Sequence, residues 1–351
     1  MKINPEQLIL ARHVRQLSQK EVAEKTNISQ GKLSKAEQGI QELSSEMIDR
    51  LTTFYDFPLS FFCLEKDESP VAHQYFRRKL TIPAKTLDHF IAQTQIYKMC
   101  IDVLLQDIEL PEMRLPFYQV TERLTPTDIA QKVRYNLGVF RGPVPNLTTL
   151  LENNGIIIIK FDFGTDKLDG LTSKTNNNHL VIFLNSQMPN DRTRFSLAHE
   201  LGHLIMHLNT SPDIDEVENE ANEFASEFLL PQDEIQVSLH NLKLPTLMAL
   251  KKRWNVSMRA IIRRARDLGT ISDYEYRQLQ ILFSKKHYNK QEPCPLLFEE
   301  PNILKYTLKL HKDDLNYTDA ELAKVMHLNE HDYFRFMSSQ QRPIYINWRK
   351  K

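Results

Sequence analysis

RTRFSLAHELGHLIMH (192–207) and, nine residues on, VENEANEFASEFLLP (217–231) decide how this chain is read. In the first segment Phe195, Leu197, Ala198, Leu201, Leu204 and Ile205 supply the apolar positions of a buried helix. His199 and His203 stand four residues apart, so at 3.6 residues per turn both imidazoles lie on one face and can reach one tetrahedral ion. Glu200 is one residue further round, where a carboxylate can take a proton from water. The pattern is HExxH, and its chemistry calls for Zn2+ and a third ligand.

His207 continues the four-residue spacing but lies eight residues from His199, about 12 Å along a straight helix. A Zn–N bond is only about 2 Å, so His207 is read as a polar or packing residue past the site. The second segment is the better source. Glu218, Ala221, Asn222 and Ala225 share one face of a helix anchored by Phe224 and Phe228. A carboxylate from that face would complete a His2Glu site with one position left for water. Glu218 aligns with the small Ala221, Glu216 and Glu220 are its rivals, and Asn222 is placed to hydrogen-bond a ligand histidine. Zinc there would acidify a water towards neutrality, with Glu200 accepting the proton.

Outside these helices the composition narrows the field without deciding it. The chain has 351 residues, 41% apolar and 26% charged, enough for two or three ordinary globular domains. Lys+Arg and Asp+Glu both count 45, so any nucleic-acid affinity must come from a local patch. No stretch approaches the roughly 20 apolar residues that span a bilayer, and the opening MKINPEQ lacks a signal-peptide core. Cys63, Cys100 and Cys294 are odd in number and widely spaced, which indicates reduced thiols in a cytoplasmic protein without a membrane partner.

Along the chain, residues 1–66 read as short capped helices closed by FPLSFF, and 67–82 as an irregular charged linker. A helical pattern occupies 83–109. A new unit begins at a helix capped by Thr125 or Thr127, followed by two strand candidates, GIIIIKFDF (155–163) and HLVIFLN (179–185). HLVIFLN is expected at a sheet edge, where it could hold an extended substrate. Helical patterns then run to about 285, a second linker occupies 285–301, and one helical segment extends from Leu315 to about Met337. The organisation expected is 1–66, a DNA-binding domain; 67–124, a helical linker; 125–285, the HExxH domain with trailing helices; and 286–351, a C-terminal extension. The fold class is α+β and mostly α, an all-α bundle followed by a domain with a small sheet and a helical extension.

LSQKEVAEKTNISQGKLSKAEQG (17–39) has helix-turn-helix spacing. Ala23 is small where two helices cross, Ile28 follows the turn, and Leu33 and Ala36 face the core. Gln19 opens the first helix, suited to a phosphate; Gln30, Lys32, Ser34 and Lys35 lie on or near the exposed side of the second. Gln30 and Lys35 suit base edges, and Lys32 a phosphate. From Arg12 to Lys35 six basic residues face two acidic ones, although signs balance over 1–66. Gly31 is an oddity, weakening the second helix and offering it no side chain. YTDAELAKVMHLNEHDYFRF (317–336) aligns without a gap on 17–36 and could be a second such unit. Glu321 falls on Glu21, Ala323 on Ala23, Leu328 on Ile28 and Arg335 on Lys35.

RTRFSLAHELGHLIMH with VENEANEFASEFLLP resembles the ImmA/IrrE family of metallopeptidases, and LSQ, ISQ, SKAEQG and FPLSFF resemble an XRE/Cro-like repressor domain. The resemblance covers residues 1–285. It implies a zincin-like metallopeptidase domain, zinc on His199, His203 and Glu218, and the general-base role on Glu200. It also implies partners: double-stranded DNA and a protein substrate, either a repressor or an antitoxin. One helix-turn-helix covers one half-site, so a homodimer is expected. The alternative is a transcription factor whose zinc fold senses a ligand or holds a partner without cutting.

Overall fold

The computed structural model describes residues 3–65, 82–106, 108–208, 214–289 and 291–341. The charged linker expected at 67–82 lies almost wholly outside them. The molecule is mostly helical with one small sheet, an α+β fold. It forms two compact units, one drawn from 1–110, 174–179 and 303–351, the other from 111–173 and 180–302.

In the first unit, α1 (Pro5–Val14), α2 (Gln19–Thr26), α3 (Gln30–Glu37) and α4 (Ser45–Tyr55) start where side chains satisfy the free amides of the first turn. Ser18 and Glu21 form a reciprocal capping box on α2, and Ser29 caps α3. Between them Asn27 takes the left-handed conformation (φ 55°), which Asn tolerates, and the chain turns sharply. Val22, Ile28, Leu33 and Ala36 are buried, and Tyr55, Phe57, Phe61 and Phe62 form a cluster of tilted and stacked rings beneath them. Arg12 grips Glu37 through two hydrogen bonds of 2.7 and 2.8 Å with both side chains nearly buried, the geometry in which a charge pair is strong. A long helix, α5 (Ala84–Leu104), packs along α1.

The second unit holds α6 (Pro126–Asn136), α7 (Leu147–Glu152), β1 (Ile156–Phe161), β2 (Gly170–Lys174), β3 (Leu180–Asn185), α8 (Asn190–Met206) and α9 (Ile214–Leu229). Helices α10 (Gln232–Ile235), α11 (Leu244–Trp254), α12 (Met258–Asp267) and α13 (Asp273–Lys285) follow. The sheet order is β1-β3-β2, with β1 and β3 parallel and Ile156 opposite Leu180. Every residue of β3 is buried, as suits a central strand. The expectation that HLVIFLN lies at an edge is therefore corrected: its hydrogen bonds are taken on both sides, and β2 and β1 are the edges. β2, GLTSK, is too short and too polar to stand out in the sequence. Helices α8 and α9 pack closely, and both contribute to the core beside the sheet.

The C-terminal part of the first unit comprises α14 (Ile303–Asp313), α15 (Asp319–Val325) and α16 (Glu330–Gln341). The single helical segment expected from Leu315 to Met337 is thus two helices, broken where His327 turns left-handed (φ 57°). The break makes the echo of α2–α3 physical. Thr318 and Glu321 form a capping box where Ser18 and Glu21 do. His327 matches Asn27, and Asn329 accepts from the Asp332 amide where Ser29 accepts from Lys32. Leu322, Ala323, Leu328, Tyr333 and Phe336 fill the buried positions. Asp332 is fully buried, receiving Arg15 Nη1 at 2.8 Å, and Arg15 also reaches the Tyr55 and Asp56 carbonyls.

Candidate metal centre and nucleic-acid interface

Two close approaches build the metal centre. Gly202 on α8 lets α9 come in until a Cβ there would stand 3.4 Å from the Ala221 backbone and 3.1 Å from the Phe224 ring. That contact sets Glu218, three residues earlier on α9, opposite the two histidines. His199 Nε2 and His203 Nε2 are 3.0 Å apart, and the Glu218 oxygens lie 3.6 and 3.3 Å from them. One donor atom from each falls within 4.8 Å of the others, the one such cluster of three among the described residues. Ligands about 2 Å from a tetrahedral zinc stand about 3.3 Å from one another, so the spacing and the two-nitrogen, one-oxygen donor set fit that ion. Burial pushes the Glu218 carboxyl up to about 7, because leaving water disfavours its charged form.

Glu200 is buried beside this cluster. Thr172 Oγ1 on β2 lies 2.8 Å from Glu200 Oε2 and 2.9 Å from the Glu200 carbonyl oxygen. Opposite, a Cβ at Gly170 would stand 2.7 Å from Glu200 Cγ and 2.9 Å from Oε1, so only glycine leaves the carboxylate its space. Thr172 thereby steadies one carboxylate oxygen, and Gly170 leaves room for the whole group.

The candidates fare differently. His199, His203 and Glu218 come together, with Glu200 beside them. Of the rival carboxylates, Glu216 is exposed, and Glu220 sits 2.7 Å from His207. Asn222 is not brought to a ligand histidine. Ala221 takes the buried face against Gly202, which turns Asn222 out to solvent, and its amide donates to the Glu218 carbonyl. His207 does more than pack, since its Nδ1 lies 3.0 Å from Nδ1 of His203. Sequence reasoning missed Thr172 and Gly170 because their strand went unseen.

At the other site Gln30, Lys32 and Lys35 are exposed along α3, and Ser34 is half-buried and bonded to Gln38. Gln19 stands at the first residue of α2, where its amide nitrogen donates to Glu37 at 2.8 Å. The Arg12–Glu37–Gln19 network therefore fixes how α2 and α3 present their N-terminal turns. Gly31 has open space around it, and nothing in the fold requires glycine there.

Comparison with known proteins finds a domain family for each of the two regions. Residues 6–60 match a helix-turn-helix domain family, and residues 151–266 match the IrrE N-terminal-like domain, a peptidase family. No curated protein matches the chain. Among the described residues no helix is long and apolar enough to cross a membrane. The chain joins a helix-turn-helix domain to a metallopeptidase-type domain, the pair of domains that matches an ImmA/IrrE protein with an N-terminal helix-turn-helix.

Proposed function

We propose that this protein is a transcriptional regulator whose zinc-dependent endopeptidase site cuts a partner regulator, a repressor or an antitoxin. The DNA-reading head falls within residues 1–66 and the peptidase domain within 125–285; as one reading helix covers one half-site, the working form is a homodimer. The observation that carries the reading is the convergence of His199, His203 and Glu218 with Glu200 alongside. A purely structural zinc site is closed by four protein ligands and has no use for that glutamate.

His199, His203 and Glu218 would hold the zinc, which when bound supplies Lewis-acid polarisation and an acidified water. Glu200 takes the proton from the water that attacks the peptide carbonyl carbon. It returns that proton to the amide nitrogen as the C–N bond breaks, so one group serves as base and then acid. Thr172 donates to Glu200 Oε2 and so orients the carboxylate for this work.

The test compares protein N-termini in host cells making the wild-type chain or Glu200→Gln under stress. New termini inside a small DNA-binding protein or antitoxin, present only with the wild type, are expected. Identical termini in the two strains would instead favour a zinc fold that senses or holds a partner.

A further inference from the structure

The mechanism leaves out one hydrogen-bonded pair that touches it. His203 Nδ1 lies 3.0 Å from His207 Nδ1, and His207 Nε2 lies 2.7 Å from Glu220 Oε2. Both outer side chains are largely shielded, at 9% and 18% exposure. Each nitrogen's proton can be assigned by elimination. With the inner Nε2 of His203 turned to the metal position, its remaining proton must sit on Nδ1. That Nδ1–H then donates to His207 Nδ1, which must accept and so carries its own proton on Nε2. His207 Nε2–H donates in turn to the Glu220 carboxylate. Along this chain each donor meets an acceptor.

We infer that His207 and Glu220 form a positioning relay for the metal centre, fixing the tautomer and ring plane of His203 from behind. The inference rests on the zinc reading above. A ligand imidazole whose outer N–H is held by a polar partner is oriented and made more basic, and losing such a partner weakens metal binding by about 10- to 100-fold. The helix spacing explains why the relay is made of these residues. His207, four residues beyond His203, is one turn too far to reach the ion but stands directly beside the ring that does. Glu220 comes from α9, two residues after Glu218, so the same helix supplies the third ligand and the end of the relay. The relay therefore ties the two helices together on both sides of the metal position.

The experiment measures zinc affinity of the full-length protein by competition with a chromophoric chelator, and the Co(II) absorption spectrum as a second readout. His207→Ala and Glu220→Ala are each expected to weaken zinc by about 10- to 100-fold, with the double variant no weaker than His207→Ala, because a chain broken once is broken. His207→Gln, whose amide oxygen can accept from His203, should recover most of the affinity. The Co(II) bands should shift in the alanine variants, while thermal unfolding of the metal-free protein moves little. Should His207→Ala fail to fold, Glu220→Ala alone carries the test, since it removes the oxygen that accepts from His207 Nε2–H. Unchanged zinc affinity and Co(II) bands in folded variants would overturn the relay and leave the metal site standing. A parent protein that binds no zinc would overturn the metal reading, and the relay with it.

Discussion

The molecule contains the same two-helix motif twice, with opposite charge on the face that would meet DNA. In α2–α3 that face carries Gln19, Gln30, Lys32, Ser34 and Lys35; in α15–α16 the matching positions are Asp319, Glu330, Asp332, Phe334 and Arg335. Caps and left-handed turn agree between the two, and Val22, Ile28, Leu33 and Ala36 are buried as are Leu322, Leu328, Tyr333 and Phe336. What differs is where the second helix points its N-terminal turn. Lys32 and Lys35 stand in solvent, whereas Asp332 is buried on Arg15 of the head. A DNA backbone would repel three carboxylates and could not reach one of them. The comparison teaches that geometry makes the motif and surface charge assigns its use. The C-terminal copy packs its second helix on the head through Asp332 and Arg15.

The largest expected effect tests that contact. Asp332→Ala leaves Arg15 without its carboxylate in a shielded setting, a loss of about 3 kcal/mol in the unfolding of the first unit. That value sits at the low end for a broken buried pair, since Arg15 keeps the Tyr55 and Asp56 carbonyls and the Phe57 ring. A change below about 0.5 kcal/mol in denaturant unfolding would show a loose contact and dissolve the contrast. The next test addresses charge directly. Lys32→Ala, which removes the cation read as a phosphate contact, should reduce the salt dependence of binding to a generic duplex by about 0.9 in the log–log slope, and Arg335→Ala should leave it unaltered. Equal slopes for the two variants would mean that both motifs meet DNA.

Gly31→Ala should stabilise the head by about 1 kcal/mol, because α3 regains a helix-forming residue and no neighbour lies in the way. If that stabilised variant nevertheless loses duplex affinity, the bare backbone at Gly31 is itself a DNA contact. The smallest effect is shared. Hydrogen bonds from the backbone amides and hydroxyls of Ser18 and Thr318 hold the Glu21 and Glu321 carboxyls below their ordinary 4.5. Their stabilisation is present above 4.5 and is lost as pH falls through the lowered folded values. Amide shifts at the starts of α2 and α15 should therefore move together in acid; a cap that moves alone would separate the two motifs.

Much of the candidate metal site was legible in the sequence because a helix writes it in local spacing. His199, Glu200 and His203 need only the 3.6-residue period, and Glu218 only the small residue three places on. Sheet order needs long-range pairing, so HLVIFLN was placed at an edge and β2 with Thr172 and Gly170 went unseen. Asn222 failed for a related reason. The rotation of α9 is fixed by Gly202 meeting Ala221 and Phe224, a contact between segments, and that contact turns Asn222 outward. Spacing sets His207 aside as a ligand, but its bond to His203 depends on ring orientations that spacing does not specify. The two motifs show the same limit: their alignment could be read from the sequence, but the burial of Asp332 on Arg15 joins residues 317 positions apart.

The most direct test of the whole account is the metal content of the purified full-length protein, by elemental analysis, beside Glu218→Ala. About one zinc per chain, lost in the variant, is the predicted result. No zinc in the parent after zinc supplementation would contradict it, leaving a helix-turn-helix protein whose peptidase-type domain does not work as a metal-dependent enzyme.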